Sequence, residues 1–233
     1  MPVTFTPTTP VQYVEFDFER YFDSLEKLFG HLSFFSKWKQ FWLTTFLNLD
    51  KEVKDYIKKF PDSNPIMQRI KNQMLIPDKD FEMFTFEHIT DFGSYYLHFD
   101  IEKMKEIKNR NLLSIERVNL NHLYIDPTTL VIKDKLEDQR FPFFVRIFGV
   151  EKAFICADGN KRIRARLEEG QTEFKGYVFY PQDLEEVFFG PFDFFYYMHL
   201  YEMELMYREM ESNGGNEQSI YKVTQLYLQA NQK

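Results

Sequence analysis

Four cationic side chains lie within six positions of one short segment, directly after an acidic residue and a glycine. The segment reads ADGNKRIRARLEEG over residues 157–170, and its cations are Lys161, Arg162, Arg164 and Arg166. A helix that begins at Asn160 would leave free backbone N–H groups at its start. These groups and the helix dipole attract anions, and arginine can bind phosphate through two parallel hydrogen bonds. The segment therefore predicts a phosphate site.

Each residue type in the segment has a reason to be part of such a site. A glycine at position 159 lets an anion approach the backbone closely. Arg162 would supply charge from an open position at the helix start, and Arg166 would lie one turn further along the same face. The predicted site comprises Asp158, Gly159, Asn160, Lys161, Arg162 and Arg166.

A solvated surface helix is the alternative interpretation of the same spacing. In that case Asp158 only caps the helix start, and Arg164 pairs with Glu168 one turn away. Spacing alone leaves the two interpretations open. Catalytic residues stay unassigned, because Glu116 and Asp126 could assist a nucleophile but nothing in the sequence fixes their geometry.

The histidines do not predict a metal site. The five histidines are far apart in the sequence, and none of them follows a metal-binding motif. His199 and Glu202 lie one turn apart on a predicted helix, but the sequence offers no third ligand. We therefore predict ordinary helix residues at both positions.

The elements on either side of the cationic segment read as an α/β arrangement. FPFFVRIFG is rich in residues that favour strands, KAFICAD reads as a short buried strand, and EFKGYVFYP as a further strand. We expect strand, strand, helix and strand over residues 143–180, with the helix beginning within two residues of Asn160. LSIERVNL is a further candidate strand, and VIKDKLEDQR is ambiguous between helix and loop.

The remainder of the chain is predominantly helical in pattern. Apolar residues recur at steps of three and four between Phe16 and Phe60, where Ser33 is a candidate N-cap, and a short helix is predicted from Pro65. Alternation of apolar and polar residues predicts a hairpin over 80–100. The predicted division is a mostly helical region at 1–110, an α/β core at 111–182 and a helical C-terminal extension at 183–233.

Composition limits the classes of function. The formal net charge is -7, and hydrophobic residues make up 44% of the 233 residues, which is ample for a core. General nucleic-acid binders carry a basic excess, so nucleic-acid binding here would require a local basic patch on an acidic protein. The single cysteine, Cys156, is expected to be buried and inert. The sequence shows no secretory signal or membrane span, and together with the single cysteine this favours a cytoplasmic location.

The segment CADGNKRIRARLEEG resembles the signature of the ParB/sulfiredoxin superfamily. Members of that superfamily carry a strand, a turn of the form D-G-x-x-R or G-E-R-R, and a helix that often reads R-x-R-A. Asp158, Gly159, Asn160 and Arg162 match the turn, and Arg164 with Ala165 matches the helix. The similarity covers residues 112–182, about a third of the chain.

The resemblance implies an α+β fold, with a small mixed sheet and helices flanked by helical extensions, and a nucleotide site at the start of the motif helix. ATP, ADP or CTP, with or without Mg²⁺, are the implied ligands, and phosphoryl transfer or nuclease-type chemistry would be the implied activity. Asn160 stands where sulfiredoxins have a cysteine, and only Pro127 matches the upstream segment of ParB proteins. We therefore carry over the fold and the phosphate site, without partition activity.

Three functions follow as expectations. The first is a cytoplasmic protein that binds a nucleotide or another phosphate at the DGNKR turn. The second is a non-catalytic protein that binds a protein partner, or a second copy of itself, through its aromatic C-terminal helices. The third is a DNA-processing relative, which the acidic net charge makes less favoured. None of the three involves a membrane.

Overall fold

A computed structural model describes residues 1–6, 9–64, 82–212 and 214–231, which form an α+β fold. Contacts divide the chain into two units. The first comprises Met1–Phe81, Phe86–Leu97 and Gly190–Lys233, and the second comprises Glu82–Thr85 and His98–Phe189. This division follows contacts, whereas the three segments predicted above follow composition along the chain.

The described strands and helices are numbered in chain order. They are β1 (Val3–Thr4), β2 (Gln12–Tyr13), α1 (Phe18–Ser24), α2 (Glu26–Phe29), α3 (Phe35–Lys59), β3 (Met83–Thr90), β4 (Gly93–Asp100), α4 (Ile101–Arg110), β5 (Ile115–Asn119), β6 (Leu123–Tyr124), β7 (Phe143–Arg146), β8 (Phe154–Asp158), α5 (Asn160–Glu168), β9 (Glu173–Phe179), α6 (Pro191–Ser212), α7 (Glu217–Lys222) and α8 (Gln225–Ala230). The hairpin predicted over 80–100 corresponds to β3 and β4, which pair with each other.

The first unit has an aromatic core. Trp38, Trp42 and Phe46 recur at steps of four along α3, so they lie on one helix face, and all three are buried. Their rings contact His199 of α6. The helix begins at Phe35 without a side-chain cap, so the prediction of Ser33 as its N-cap is wrong.

The second unit contains a five-stranded mixed sheet in the order β5-β9-β7-β8-β6. β9 is antiparallel to β5 and parallel to β7, while β8 is antiparallel to β7 and parallel to β6. The sequence prediction for residues 143–180 is confirmed, because β7, β8, α5 and β9 follow in that order and α5 begins at Asn160.

One face of this sheet packs against α5. Ile163 is fully buried and belongs to a core cluster with Phe144, Cys156 and Phe174, and Leu167 packs against the cluster. Ile163 and Leu167 therefore form the inward side of the helix. Of the cations on α5, Lys161 is exposed, Arg164 and Arg166 are half-buried and Arg162 is buried.

Other local predictions differ from the structure or lie outside it. The ambiguous segment VIKDKLEDQR contains only a short 3-10 helix, Lys133–Leu136. The end of the helical C-terminal extension is divided into α7 and α8, because the Thr224 side chain accepts a hydrogen bond from the Tyr227 N–H and caps a new helix start. The helix predicted from Pro65 lies outside the described residues. Within the described ranges, every helix is too short or too polar to cross a membrane.

Candidate anion site

The turn before α5 depends on the glycine at position 159. Gly159 has a φ of 98°, in the left-handed region that other residues rarely adopt. A Cβ atom at this position would lie 2.8 Å from Nη2 of Arg162 and 2.8 Å from Cβ of Pro142. The absence of a side chain therefore lets the backbone turn lie directly on the Arg162 guanidinium.

The start of α5 has no side-chain cap. Its first intrahelical hydrogen bond runs from the N–H of Ile163 to the carbonyl of Gly159, at 2.9 Å. Gly159 is the N-cap residue and has no side chain, so it offers no acceptor to the N–H groups of residues 160–162. The positive end of the helix dipole is thus available to a ligand.

Asn160 stabilises the turn through hydrogen bonds from both polar atoms of its side-chain amide. Its Oδ1 accepts a hydrogen bond from the N–H of Asp126 at 3.0 Å, and its Nδ2 donates to the carbonyl of Cys156 at 2.7 Å. The side chain therefore ties the loop after β6 to the end of β8. This position supports the turn, and only the backbone N–H of Asn160 is left for an anion.

The structure buries Arg162, which corrects the expectation of an open arginine at the helix start. Its side chain is only 6% exposed; Nη2 donates to Oδ2 of Asp158 at 2.8 Å, and Nη1 lies 3.6 Å from Oδ2 of Asp138. Its Nε atom is buried and has no hydrogen-bond partner among the described residues. Two carboxylates therefore hold Arg162 in place, while one donor remains unsatisfied.

Asp138, the second of these carboxylates, connects Arg162 to a further arginine. Arg140 donates to both oxygens of Asp138, from Nε at 3.0 Å and from Nη2 at 2.7 Å. These bonds, aided by the nearby charge of Arg162, hold the pKa of the Asp138 carboxyl well below its usual range. Asp138 is therefore ionised at neutral pH and offsets part of the arginine charge.

A cleft of about 330 Å³ opens at this turn, with all of its lining in the second unit. We refer to it as the anion cleft. Its cationic lining residues are Lys135, Arg140, Lys161 and Arg162, and its carboxylates are Glu82 and Asp158. Lys161 is exposed, and neither it nor Lys135 has a side-chain partner among the described residues. Cations therefore outnumber carboxylates in the lining.

The predicted site residues do not all meet in this cleft. Asp158, Gly159, Asn160, Lys161 and Arg162 line it, but Arg166 lines a different cleft. Nη2 of Arg166 donates to the carbonyl of Asp138 at 2.9 Å, so its side chain is directed along the 133–140 segment. Arg164 bonds the carbonyl of Asp126 at 3.1 Å, whereas the surface-helix alternative paired it with Glu168.

Several residues of the cleft were missed by the sequence analysis. Lys135 and Arg140 line the cleft, and Asp138 holds Arg162 beside it. All three come from the charge-dense segment DKLEDQR, whose density of charge was the only available signal. Met83 and Phe84 belong to β3, far away in the sequence, and no local pattern connects them to the turn.

Cys156 is buried beneath the turn, as predicted. It is fully inaccessible, and burial raises the pKa of its thiol far above the ordinary value, with the Asp158 charge acting in the same direction. The thiolate, which is the nucleophilic form, is therefore suppressed. In the described ranges, no three His, Cys, Asp or Glu side chains are close enough together to hold a metal ion.

Comparison of the chain with protein-family models, with curated proteins and with solved structures finds no match.

Proposed function

We propose that this protein binds a nucleotide or another phosphate compound in the anion cleft. The observation that carries the proposal is Arg162: a guanidinium that is nearly inaccessible, directly under the Gly159 turn, with an unsatisfied Nε. Arg162 lines the cleft, so the charge of its guanidinium favours an anion held there. The uncapped start of α5 adds N–H donors beside it.

The charges of the lining favour an anion over a neutral ligand. Lys161 and Lys135 have no carboxylate partner among the described residues, whereas Arg140 and Arg162 share the two aspartates. A phosphate would gain charge-assisted hydrogen bonds from the lysines without first breaking an ion pair.

The apolar part of the anion cleft's lining favours a nucleotide over free phosphate. Its apolar lining residues are Met83, Phe84, Ile101 and Ala157. A phenyl ring and a thioether offer a base a flat, polarisable surface, and the volume is at the lower end of the range for small-molecule sites. ATP, ADP and CTP, with Mg²⁺ brought by the nucleotide, are the ligands to test.

The proposal stops at binding. Of the two carboxylates in the lining, Asp158 is bonded to Arg162, and Glu82 lies 3.1 Å from the ammonium of Lys105. Neither is positioned as a free general base. Phosphoryl transfer or nuclease-type chemistry would need a further group that the ligand or a partner supplies. The ParB/sulfiredoxin relationship and a cytoplasmic location remain parts of the proposal, supported by the DGNKR motif and by the free thiol of Cys156.

Partner binding through the aromatic C-terminal helices is the second candidate. Phe192, Tyr196 and Tyr197 of α6 are buried within the first unit, and Tyr207 is among the exposed large residues of that helix. Three of the seven aromatic side chains of α6 therefore contribute to the core, and only Tyr207 is exposed. This burial ranks the candidate below phosphate binding.

Calorimetric titration tests the first proposal. We expect wild-type protein to bind ATP, ADP, CTP or pyrophosphate, with or without Mg²⁺, and Lys161→Ala to weaken binding by about tenfold, the value of one charge-assisted hydrogen bond. Lys161 is the residue to change because it is exposed, so its loss spares the fold. Absence of binding by wild-type protein for all of these ligands would overturn the proposal.

Lys51→Ala is the matched control. Lys51 is an exposed lysine on a helix of the first unit, outside the lining of the anion cleft. We expect Lys51→Ala to bind these nucleotides and pyrophosphate with the affinity of the wild type. Equal weakening in both variants would mean that net charge, rather than the anion cleft, determines binding.

A further inference from the structure

A second cleft in the same unit carries cations that the proposed nucleotide site does not use. It has a volume of about 420 Å³, and its lining includes Arg117, Arg166 and Lys175 together with Phe141 and Glu173. Arg117 and Lys175 are paired neighbours on β5 and β9. We refer to it as the β5–β9 cleft.

Two of these cations lack a carboxylate partner in the part of the chain that the structure describes. Lys175 is exposed and makes no side-chain hydrogen bond or ion pair there, and Arg166 donates only to the neutral carbonyl of Asp138. Arg117 is 3.3 Å from Glu173, so that pair is balanced. In a chain with a net charge of -7, two uncompensated cations in one concavity indicate an anionic ligand.

One short segment borders both clefts. Lys135 and Arg140 line the anion cleft, while Leu136, Gln139 and Phe141 line the β5–β9 cleft. A ligand that crosses this segment would therefore meet uncompensated cations on both sides, Lys135 and Lys161 first and Arg166 and Lys175 next. The required ligand has negative charges at repeated positions along its length.

An aromatic ring lies on the same path. Phe141 is 37% exposed, and its ring meets that of Tyr177 edge to face, with centroids 6.0 Å apart. The ammonium of Lys108 lies 5.1 Å from the centre of the Tyr177 ring. Exposed rings among cations are what proteins use to stack the bases of single strands while lysines and arginines follow the backbone.

We propose that the second unit binds single-stranded nucleic acid, with one phosphate in the anion cleft, a later phosphate in the β5–β9 cleft and a base against Phe141. This proposal rests on the proposed function, because the first phosphate occupies the Gly159 turn. It also supplies the local basic patch that a nucleic-acid ligand requires on an acidic protein. A single strand fits because its bases are unpaired and free to stack on a ring.

Fluorescence anisotropy tests this proposal. The labelled ligands are (dT)8 and (rU)8, and unlabelled TMP and UMP are the competitors. We expect the oligonucleotides to bind at least about tenfold more tightly than the mononucleotides, because the second phosphate binds at a high effective concentration. Binding of mononucleotides and oligonucleotides with equal affinity would overturn this inference and leave the nucleotide site standing. Absence of oligonucleotide binding would also overturn this inference, while the nucleotide site is judged separately by titration with ATP, ADP, CTP and pyrophosphate.

Variants of the β5–β9 cleft separate the two proposals further. Lys175→Glu should weaken the binding of (dT)8 by about tenfold or more. It should also reduce the slope of log affinity against log salt concentration, since each neutralised phosphate of a single strand contributes about 0.7 to that slope. The affinity for pyrophosphate should not change. The control is Lys51→Glu, which makes the same change of charge on the first unit. Oligonucleotide binding that is unaffected by Lys175→Glu would contradict the proposal.

Phe141→Ala tests the stacking step, and Phe60→Ala is its control. Both rings are partly exposed, at 37% and 44%, but Phe60 belongs to the first unit. We expect Phe141→Ala to lose about tenfold in affinity for (dT)8 and Phe141→Trp to retain it. The nucleic-acid assignment would be overturned if inorganic polyphosphate bound as tightly as (dT)8 and Phe141→Ala changed neither affinity. That result would show recognition of charge alone.

Discussion

At the scale of single residues, the anion cleft depends on a position without a side chain. Gly159 has a left-handed backbone and lies against the Arg162 guanidinium and Pro142. The arginine in turn is fixed by Asp158 and Asp138. Gly159 thus serves the turn conformation and the close packing of the guanidinium at once, which is more than a turn alone requires.

We expect Gly159→Ala to destabilise the protein by more than Gly170→Ala. Both glycines have positive φ, but a Cβ at Gly170 meets nothing within 4 Å, whereas at Gly159 it meets two atoms at 2.8 Å. Gly170→Ala should therefore cost backbone strain alone, about 1 kcal/mol, and Gly159→Ala should approach 3 kcal/mol. Urea unfolding of both variants is the measurement. Equal losses would mean that the Cβ contacts are relieved at no cost.

At the scale of elements, a buried carboxylate connects three helices of the first unit. Glu202 of α6 is only 2% exposed and accepts hydrogen bonds from the indole N–H groups of Trp38 and Trp42 on α3. Its Oε2 also accepts from the N–H of Gln225 at the start of α8, at 2.8 Å. Burial raises the pKa of Glu202 to about 7, against the opposing effect of these three donors.

The stability of this arrangement should depend on pH. A carboxyl whose folded pKa is about 7, against an ordinary value of 4.5, binds its proton more readily in the folded state. Its contribution is therefore fully present below pH 4.5 and is lost as the pH rises to 7. We expect the free energy of unfolding of the wild type to fall by about 3 kcal/mol across that window relative to Glu202→Gln.

The neighbouring histidine makes this comparison with a variant necessary. His199 lies one turn before Glu202, accepts or donates a bond to Tyr21 at 3.1 Å, and has its pKa lowered to about 3 by burial. Its contribution has the opposite sign, since it is present above pH 6.5 and declines as the pH falls towards 3. Unfolding curves for wild type and Glu202→Gln at each pH cancel the histidine term. A constant difference between them would contradict the prediction.

At the scale of the whole molecule, Cys156 reports on opening of the fold. The thiol lies in the core cluster of the second unit, so a thiol reagent reaches it only after that core opens. We expect labelling of the native protein to be about a thousandfold slower, or more, than labelling in concentrated urea.

An exposed cysteine calibrates the labelling experiment. Lys51→Cys combined with Cys156→Ser places a thiol on the surface of the first unit, where the reagent should react at the rate for an exposed thiol. Native labelling of Cys156 at a comparable rate would contradict its burial.

The sequence by itself was sufficient for the elements around the turn. The order of strand, strand, helix and strand over 143–180, the helix start at Asn160 and the burial of Cys156 all depend on neighbours in the chain. Alternation of apolar residues, a glycine before a helix and apolar spacing along that helix are local signals.

Only the tertiary structure decided which side chains meet. Asp138 reaches Arg162 from a segment that has little regular structure, and Phe84 comes to the anion cleft from β3. The order of strands in the sheet places β9 between β5 and β7, which pairs Arg117 with Lys175 and forms the β5–β9 cleft. Arg162 looked open in the sequence and is buried in the structure. Asp158 lies four residues before it and was a neighbour by spacing, but Asp138 reaches it only through chain packing.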